Sequence, residues 1–501
     1  MRTSTLFAGG IAAWIFCVPF AGQAQTTQEG ADKIRLGLKE WIASHLTTAD
    51  KSVVFNFQGP ITVVPQGKSY KAVIPKSEVV FADGDDPVTL PVDAVELVLT
   101  PLENGWLDTA ITIPSHYRPE SKDGKGIDVT IGSQALHGVF APQYQTFMAL
   151  DSKLGGIEMR SLDPQEAKGS LKIGAIAVDG DSKAVGQDTY DSTGTVTISD
   201  SAFVDEKGAQ LFKLDEATVA GTATAANLVA LYGFSQKLEA LQKRYPNAGE
   251  GEPSKEFLGE LGEVFNGTPN LFDDFGFTYG LKGLTVTPPP AEGEPEQVTL
   301  ASTSFGISIA GLAKDASTFQ VTLDLDKLGI VPTPEFGQFV PHTATVDLAL
   351  TNLPNQVLLQ ALTSMLDSSA TLGPDQAAEI AAGQLQQALL NSKGALEIRS
   401  FKAVSPLTSI DLTGTLKPNP RAPLMVTGDV KLVVIGMEDA LEAAKTMPDG
   451  QEAVQGLTML QTLGAQDTVG GKPARTYQLV VSEKGDILLN GTDLKPLLGM
   501  H

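Results

Sequence analysis

Two stretches in the last fifth of the chain alternate between apolar and polar positions. Ile410, Leu412, Gly414 and Leu416 interleave with Asp411, Thr413 and Thr415. Val426, Gly428, Val430, Leu432 and Val434 interleave with Thr427, Asp429 and Lys431. A period of two puts one set on a buried face and the other toward water, which predicts a half-buried antiparallel hairpin. The joining segment, residues 417–423 (KPNPRAP), carries three prolines that cannot donate to a ladder, so pairing stops there. Gly436 then switches the period, and Leu441, Ala444 and Lys445 begin a short helix. The strand-then-helix unit recurs at 343–366 and 424–447 as a loose internal repeat.

The same reading extends along the chain. Residues 31–46 form an amphipathic helix with Ile34, Leu38, Trp41, Ile42 and Leu46 on one stripe. Short strands follow over 53–57, 61–64, 70–74, 78–81, 88–92, 95–99 and 106–113. The separators, such as Glu103-Asn104-Gly105, have turn chemistry. Residues 115–126 read as an exposed loop. Further strands fall near 127–131, 157–161, 171–178, 195–198 and 217–222. Helices occupy the region near 225–266, one carrying Leu228, Leu231, Leu238 and Leu241 and another capped by Ser254. Later, Phe319, Val321, Leu323 and Leu325 alternate with Gln320, Thr322 and Asp324, and Val346, Leu348 and Leu350 alternate with Asp347 and Ala349. Two helices follow, the second starting at Pro374, where proline is tolerated. A last hairpin runs from Tyr477 to Gly491. The fold class predicted is β-rich α+β: a long twisted antiparallel sheet, a meander or half-pipe, with short amphipathic helices packed on one face.

Residues 287–297 (TPPPAEGEPEQ) cannot build a core and read either as a linker or as a long surface loop. As a linker they separate a β-rich N-terminal domain, 25–286, from a strand–strand–helix repeat domain, 298–501. Ahead of both, residues 1–24 read as a secretory signal peptide. Arg2 supplies its charge, residues 6–20 an apolar core, Pro19 a breaker, and Gly22-Gln23-Ala24 the small residues of a cleavage site after Ala24. The alternative, a retained membrane anchor, stays open at this point. No later run approaches the length of a transmembrane helix. The only cysteine, Cys17, lies within the signal, so the mature chain has no disulfide and no thiolate chemistry. That suits a bacterial periplasm. The formal net charge of −23 lacks the basic footprint of a nucleic-acid binder and would be repelled by anionic head groups.

Three stretches carry a family likeness: residues 63–75 (VVPQGKSYKAVIP), 343–354 (TATVDLALTNLP) and the terminal GDILLNGTDLKPLL. The first resembles an early strand motif of alphaproteobacterial periplasmic proteins of unknown function. The others resemble the related YdgA-like family. The likeness rests on strand patterns and brings no catalytic residue with it. It implies an exported protein with long curved antiparallel sheets and, through some relatives, the handling of hydrophobic envelope components.

Candidate chemistry is sparse. The five histidines, His45, His116, His137, His342 and His501, show no metal spacing such as H-x-x-x-H. His116, beside Tyr117 and Arg118 in a loop, is the least ordinary of them. Gly306-Ile307-Ser308-Ile309-Ala310 lacks the second glycine of a nucleophile elbow and reads as mid-strand. Asp83, Asp85 and Asp86, and again Asp179 and Asp181, lie in short loops without a calcium-loop spacing. Gly470-Gly471-Lys472 is followed by Pro473 where a phosphate loop needs Ser or Thr. No catalytic residue, metal ligand or cofactor is assigned.

The remaining signal is apolar. Helices covering the sheet would make it a core. A partly uncovered sheet would leave a groove for an acyl chain, with Phe319, Val321, Leu323, Leu325, Val430, Leu432 and Val434 as lining. Three functions follow: a non-enzymatic envelope protein that binds or carries a lipid-like ligand, a periplasmic scaffold that pairs with a protein partner through its sheet edges, and a hydrolase with a dispersed site. An open apolar cleft favours the first, and a tight pocket in which His116 or His342 meets a carboxylate favours the third.

Overall fold

The structure, a computed structural model, describes residues 26–42, 53–81, 88–121, 125–163, 169–245, 254–266, 271–288, 295–334, 336–422, 424–447 and 450–496. The expected signal peptide with Ala24, the Asp83–Asp86 loop, His45 and His501 lie outside these residues. The chain divides into two compact units, Met1–Pro253 and Ser254–His501.

In the first unit, Thr27 caps α1 (Gln28–Trp41) by accepting the Gly30 N–H on its hydroxyl. Of the predicted apolar stripe, Ile34, Leu38 and Ile42 are almost wholly buried, and Ala31 joins them; Leu46 lies outside the described residues. The described short strands are β1 (Val53–Phe57), β2 (Thr62–Gln66), β3 (Ser69–Ile74), β4 (Ser77–Phe81), β5 (Val88–Val92), β6 (Val95–Pro101), β7 (Leu107–Thr112), β8 (His116–Tyr117) and β9 (Glu120–Ser121). Five long strands follow: β10 (Ile127–Ala141), β11 (Thr146–Ser161), β12 (Gly169–Gly186), β13 (Thr189–Asp205) and β14 (Gln210–Asn227), with α2 (Leu228–Arg244) after them. The main sheet is antiparallel in the order β2-β3-β6-β7-β10-β11-β12-β13-β14, with β8 also paired to β10. A small sheet, β1-β4-β5-β9, stands apart from it. Two layers cover the apolar face of the main sheet. Helix α1 packs over Val63, Tyr70, Ala72, Leu97, Leu99, Leu107 and Phe140. The small sheet sets Val79 and Leu90 against Val129, Ile131, Ile157 and Ile173.

The long strands differ from their sequence reading, which had only fragments of them. Besides irregularities near the strand ends, alternation restarts along one line across the middle of the sheet. Ile131, Ile157, Ile173, Ser201 and Leu214 lie in register on one side of that line, and Gln134, Leu154, Ile176, Ile198 and Ala217 on the other. Gly156 and Asp200, on alternate strands at the line, have positive φ. Irregularities of this kind keep the apolar residues on one face while breaking the period-two pattern. Asp179 and Asp181, expected in a loop, are therefore mid-ladder residues of β12, held by neighbours on both sides. The expected loop 115–126 contains β8 and β9.

The second unit begins with α3 (Lys255–Asn266), whose cap is Ser254 as expected: its hydroxyl accepts the Phe257 N–H at 3.2 Å. Its strands are β15 (Asp274–Val286), β16 (Gln297–Ala310), β17 (Ala316–Asp326), β18 (Gly329–Val331), β19 (Thr343–Pro354), β20 (Ala395–Val404), β21 (Ser409–Pro418), β22 (Val426–Ile435), β23 (Ala465–Val469), β24 (Lys472–Val481), β25 (Ile487–Leu489) and β26 (Thr492–Asp493). Helices α4 (Asn355–Leu372) and α5 (Pro374–Asn391) separate β19 from β20, and α6 (Met437–Lys445) and α7 (Gln451–Leu463) follow β22. Pairing is antiparallel throughout, in the order β15-β16-β17-β19-β20-β21-β22-β24. Among the described residues no pairing closes either unit's sheet into a barrel.

The predicted hairpin is present, with Leu412 opposite Leu432 and Gly414 opposite Val430. Gly436, at φ +81°, makes the switch from β22 to α6, and a Cβ there would lie 2.0 Å from the Leu407 carbonyl oxygen. Only glycine fits that position. The 287–297 stretch connects β15 to β16, which pair antiparallel; residues 289–294 of it lie outside those described.

Candidate functional site: an apolar sheet face

Residues directly opposite in an antiparallel ladder share a face, so the register of the second unit sorts its side chains without further assumption. One row across the strands reads Tyr279, Phe305, Leu323, Val346, Phe401, Leu412, Leu432, Tyr477. The next reads Phe277, Ile307, Val321, Leu348, Ile398, Gly414, Val430, Leu479, and a third runs from Phe275 through Ile309, Phe319, Leu350, Leu396 and Leu416 to Gly428 and Val481. The opposite face carries Thr278, Ser304, Ser308, Gln320, Thr322, Asp324, Asp347, Lys402 and Thr413. The sheet thus has one apolar and one polar side. Eight strands at ~4.8 Å spacing make the apolar side about 34 Å across.

Cover on this face is uneven. At the β22–β24 end, Val434, Met437 and Tyr477 are buried with Leu432, Leu457 and Leu489 under α6 and α7. Glu438 at the start of α6 accepts the Arg475 guanidinium at 2.9 Å, and the Tyr477 hydroxyl donates to the Leu460 carbonyl of α7 at 2.8 Å. Arg475, with the Glu438 N–H, holds the Glu438 carboxyl below the ordinary glutamate range, and burial pushes the Tyr477 phenol up. Toward β15 the cover ends. Phe275, Phe277, Tyr279, Phe305, Leu323, Leu350 and Phe401 are each 37–39% exposed. Seven large apolar side chains in three adjacent rows form a contiguous exposed patch, which a soluble surface rarely carries without a partner for it.

The seven expected lining residues fall in these rows, apart from Leu325 and Val434, which share the next row with Ala344, Ala403, Ile410 and Arg475. Leu323 is exposed and Val434 is buried under the helices. The open end is built from Phe275, Phe277, Tyr279 and Phe305, none of which is among the expected lining residues. Their signal was available. Phe275, Phe277, Tyr279 and Leu281 alternate with Gly276, Thr278 and Gly280. Glycine at the alternate positions lowers strand propensity and hid them.

The polar candidates lie elsewhere. His116 Nε2 is 2.5 Å from Asp128 Oδ1, and His137 Nε2 is 2.6 Å from Asp108 Oδ1. Both pairs are on exposed strand surfaces, and among the described residues neither imidazole bonds a hydroxyl that it could activate. His342 is held through its backbone, whose N–H donates to Val404. Ser308 is mid-strand in β16. A cleft of about 630 Å³ beside α4 and α5 is lined by Gln360, Gln384, Gln387, Ser364 and Ser392 with Val357, and among the described residues no ionisable side chain lines it. No helix among the described residues is long and apolar enough to cross a membrane.

No match was found among curated proteins or among solved structures. The model of a bacterial family, described as an uncharacterized protein conserved in bacteria (DUF2125), matches residues 275–497, a span that opens at the first strand of the two-faced sheet and includes both helix pairs, so over this span the chain is similar to that family.

Proposed function

We propose that the protein is an exported, non-enzymatic component of the bacterial envelope that seats a lipid-like ligand on the apolar face of its second unit. The observation that carries this reading is the row Tyr279, Phe305, Leu323, Phe401: four large side chains in register, all partly open to water, on a sheet whose reverse is polar. An acyl chain covering about half of a ~30 Å hydrocarbon core is about 15 Å long, and a ~34 Å face accommodates it with room to spare. Aromatic and aliphatic side chains give such a chain area without directional demands, which suits carriage more than chemistry. The resemblance to periplasmic families and the signal-like leader support export.

The test is native mass spectrometry on protein taken from its own periplasm, with solvent extraction of the same sample. The expected result is a chain beginning at residue 25 that carries solvent-releasable adduct of fatty-acid or phospholipid mass, the amount bound falling in Phe305→Asp and Leu323→Asp. A bare chain that instead cross-links to an envelope protein overturns the lipid reading in favour of a scaffold.

A further inference from the structure

The first unit holds a cavity that none of the foregoing uses. It is a slot of about 60 Å³ framed by Ile111, Leu136, Phe147, Leu150, Leu154, Ile176 and Val178, from β7, β10, β11 and β12. It lies between the two covered regions: Ile111 and Phe147 belong with the layer under α1, and Leu154 and Ile176 with the layer under the small sheet. His137 and Lys153 also border it, but strand alternation places them on the opposite face. Ser152 is the polar residue on the apolar side. Its hydroxyl is engaged with the backbone N–H and carbonyl of His137, both at 3.2 Å, which leaves little to hold a water. A slot of this size takes about four water-sized groups, and an apolar one stays dry.

The slot has a closed end and an open end. One register row reads Leu97, Ile111, Leu136, Ser152, Val178, Val196, Val219. Exposure along it rises from 0% at Leu97 and 9% at Ile111, through half-buried positions, to 37% at Val219. The closed end is crowded: a methyl at Gly138 would sit 2.7 Å from Phe147 Cδ1 and 3.0 Å from Leu150 Cδ2, so both side chains lie over that glycine. The open end continues past Gly180 and Gly194, where a Cβ would meet nothing nearer than 3.5 Å. A narrow, dry, blind slot leading onto a shallow apolar lane has the dimensions of an unbranched alkyl chain and its methyl end.

We propose that the first unit carries a second seat for an alkyl chain, with the methyl end in the slot at Leu150, Leu154, Ile176 and Val178 and the rest lying across β13 and β14. This proposal rests on the reading of the protein as a lipid binder and adds a separate site. A free fatty acid and a phospholipid present the same chain, and their masses tell them apart.

The experiment titrates the full chain with oleate and, separately, with a dioleoyl phospholipid, and counts adducts by native mass spectrometry. Wild type is expected to take two chains. Val178→Trp fills the slot and removes one, weakening that site on the order of a hundredfold, as the loss of about three buried methylene groups would. Ser152→Leu, which grows into the slot from a half-buried position, should give the same loss and guards against a folding defect in the first variant. Phe305→Asp should remove the other chain and leave this one. A single adduct that survives both slot variants and disappears in Phe305→Asp overturns the second seat and leaves the proposed function standing. No adduct in wild type overturns both.

Discussion

The two units build the same two-faced antiparallel sheet and treat its apolar face differently. In the first, α1 and a separate four-stranded sheet lie over it, and Ile34, Leu38, Leu97, Leu99 and Phe140 are within 2% of complete burial. In the second, the described cluster under α6 and α7 lies at the β22–β24 end, and the aromatics of β15, β16 and β20 remain more than a third exposed. The same pattern along a strand therefore serves as core in one place and as an open surface in the other. What separates them is the supply of covering elements. Burying an apolar side chain contributes about 25 cal/mol per Å² wherever it happens, so the exposed rows keep a capacity that a ligand can use.

That contrast can be broken most sharply by truncation. Leu97→Ala in the covered face should cost about 2–5 kcal/mol, because it leaves a cavity in a fully packed site. Leu323→Ala in the open face should cost under about 1 kcal/mol, since the side chain is already partly hydrated and water fills the space. Urea unfolding of the intact chain, followed separately in each unit by hydrogen exchange, measures both. Equal losses would mean that the open face is packed in solution.

A smaller effect is expected where the open end is fastened. The Asn355 side-chain amide donates toward the carbonyls of Gly311, Leu312 and Lys314, at 2.8 to 3.1 Å, and so closes the turn between β16 and β17. Asp273 and Asp274 hold the same turn through the N–H groups of Ala313 and Gly311. Asn355→Ala should cost about 1–3 kcal/mol, and Asn355→Asp more, because a carboxylate would face three carbonyl oxygens. The Asn355 Oδ1 atom is buried without a hydrogen bond, so the site already depends on the amide nitrogen alone. Exchange at residues 311–315 should quicken in both variants. Unchanged protection there would refute the fastening.

The smallest effect concerns the covered end of the second face. The Glu438 carboxyl is held low by Arg475, so its contribution is present above the ordinary glutamate value of 4.5 and is lost as pH falls through its lower folded value. The carboxylate is partly exposed and screened, so the pair is worth less than about 1 kcal/mol. Acidification below 4.5 should loosen α6 and α7 slightly, and Arg475→Met should weaken that pH dependence while the Glu438 N–H and Gln461 keep part of it. A variant that keeps the same acid response would place its origin at another group.

Much of the fold was legible from period alone. The hairpin of β21 and β22, the helices α1, α3, α4 and α5 and the strands β17 and β19 follow apolar spacing that no neighbour overrides. The long strands of the first unit were legible only in pieces, because the line through Gly156 and Asp200 resets their alternation. At Asp179 and Asp181 the residue type suggests a turn, and ladders on both sides hold them in a strand. The open face was half legible. Val321 and Leu323 alternate with polar residues, while Phe275, Phe277 and Tyr279 alternate with glycine and threonine and read less clearly.

The sequence by itself determined that this is a β-rich chain of two-faced strands and short amphipathic helices, because side-chain periodicity is a local property of the backbone. Where alternation is unbroken, as in β17, β21 and β22, it also determined which residues share a strand face. Tertiary structure alone decided which of those faces are covered, since cover is supplied by elements distant in the chain: α1 and the small sheet over the first unit, α6 and α7 over one end of the second. It alone brought Phe277, Ile307, Val321, Leu348 and Ile398 into one row, because register between strands is fixed by pairing and not by spacing along the chain.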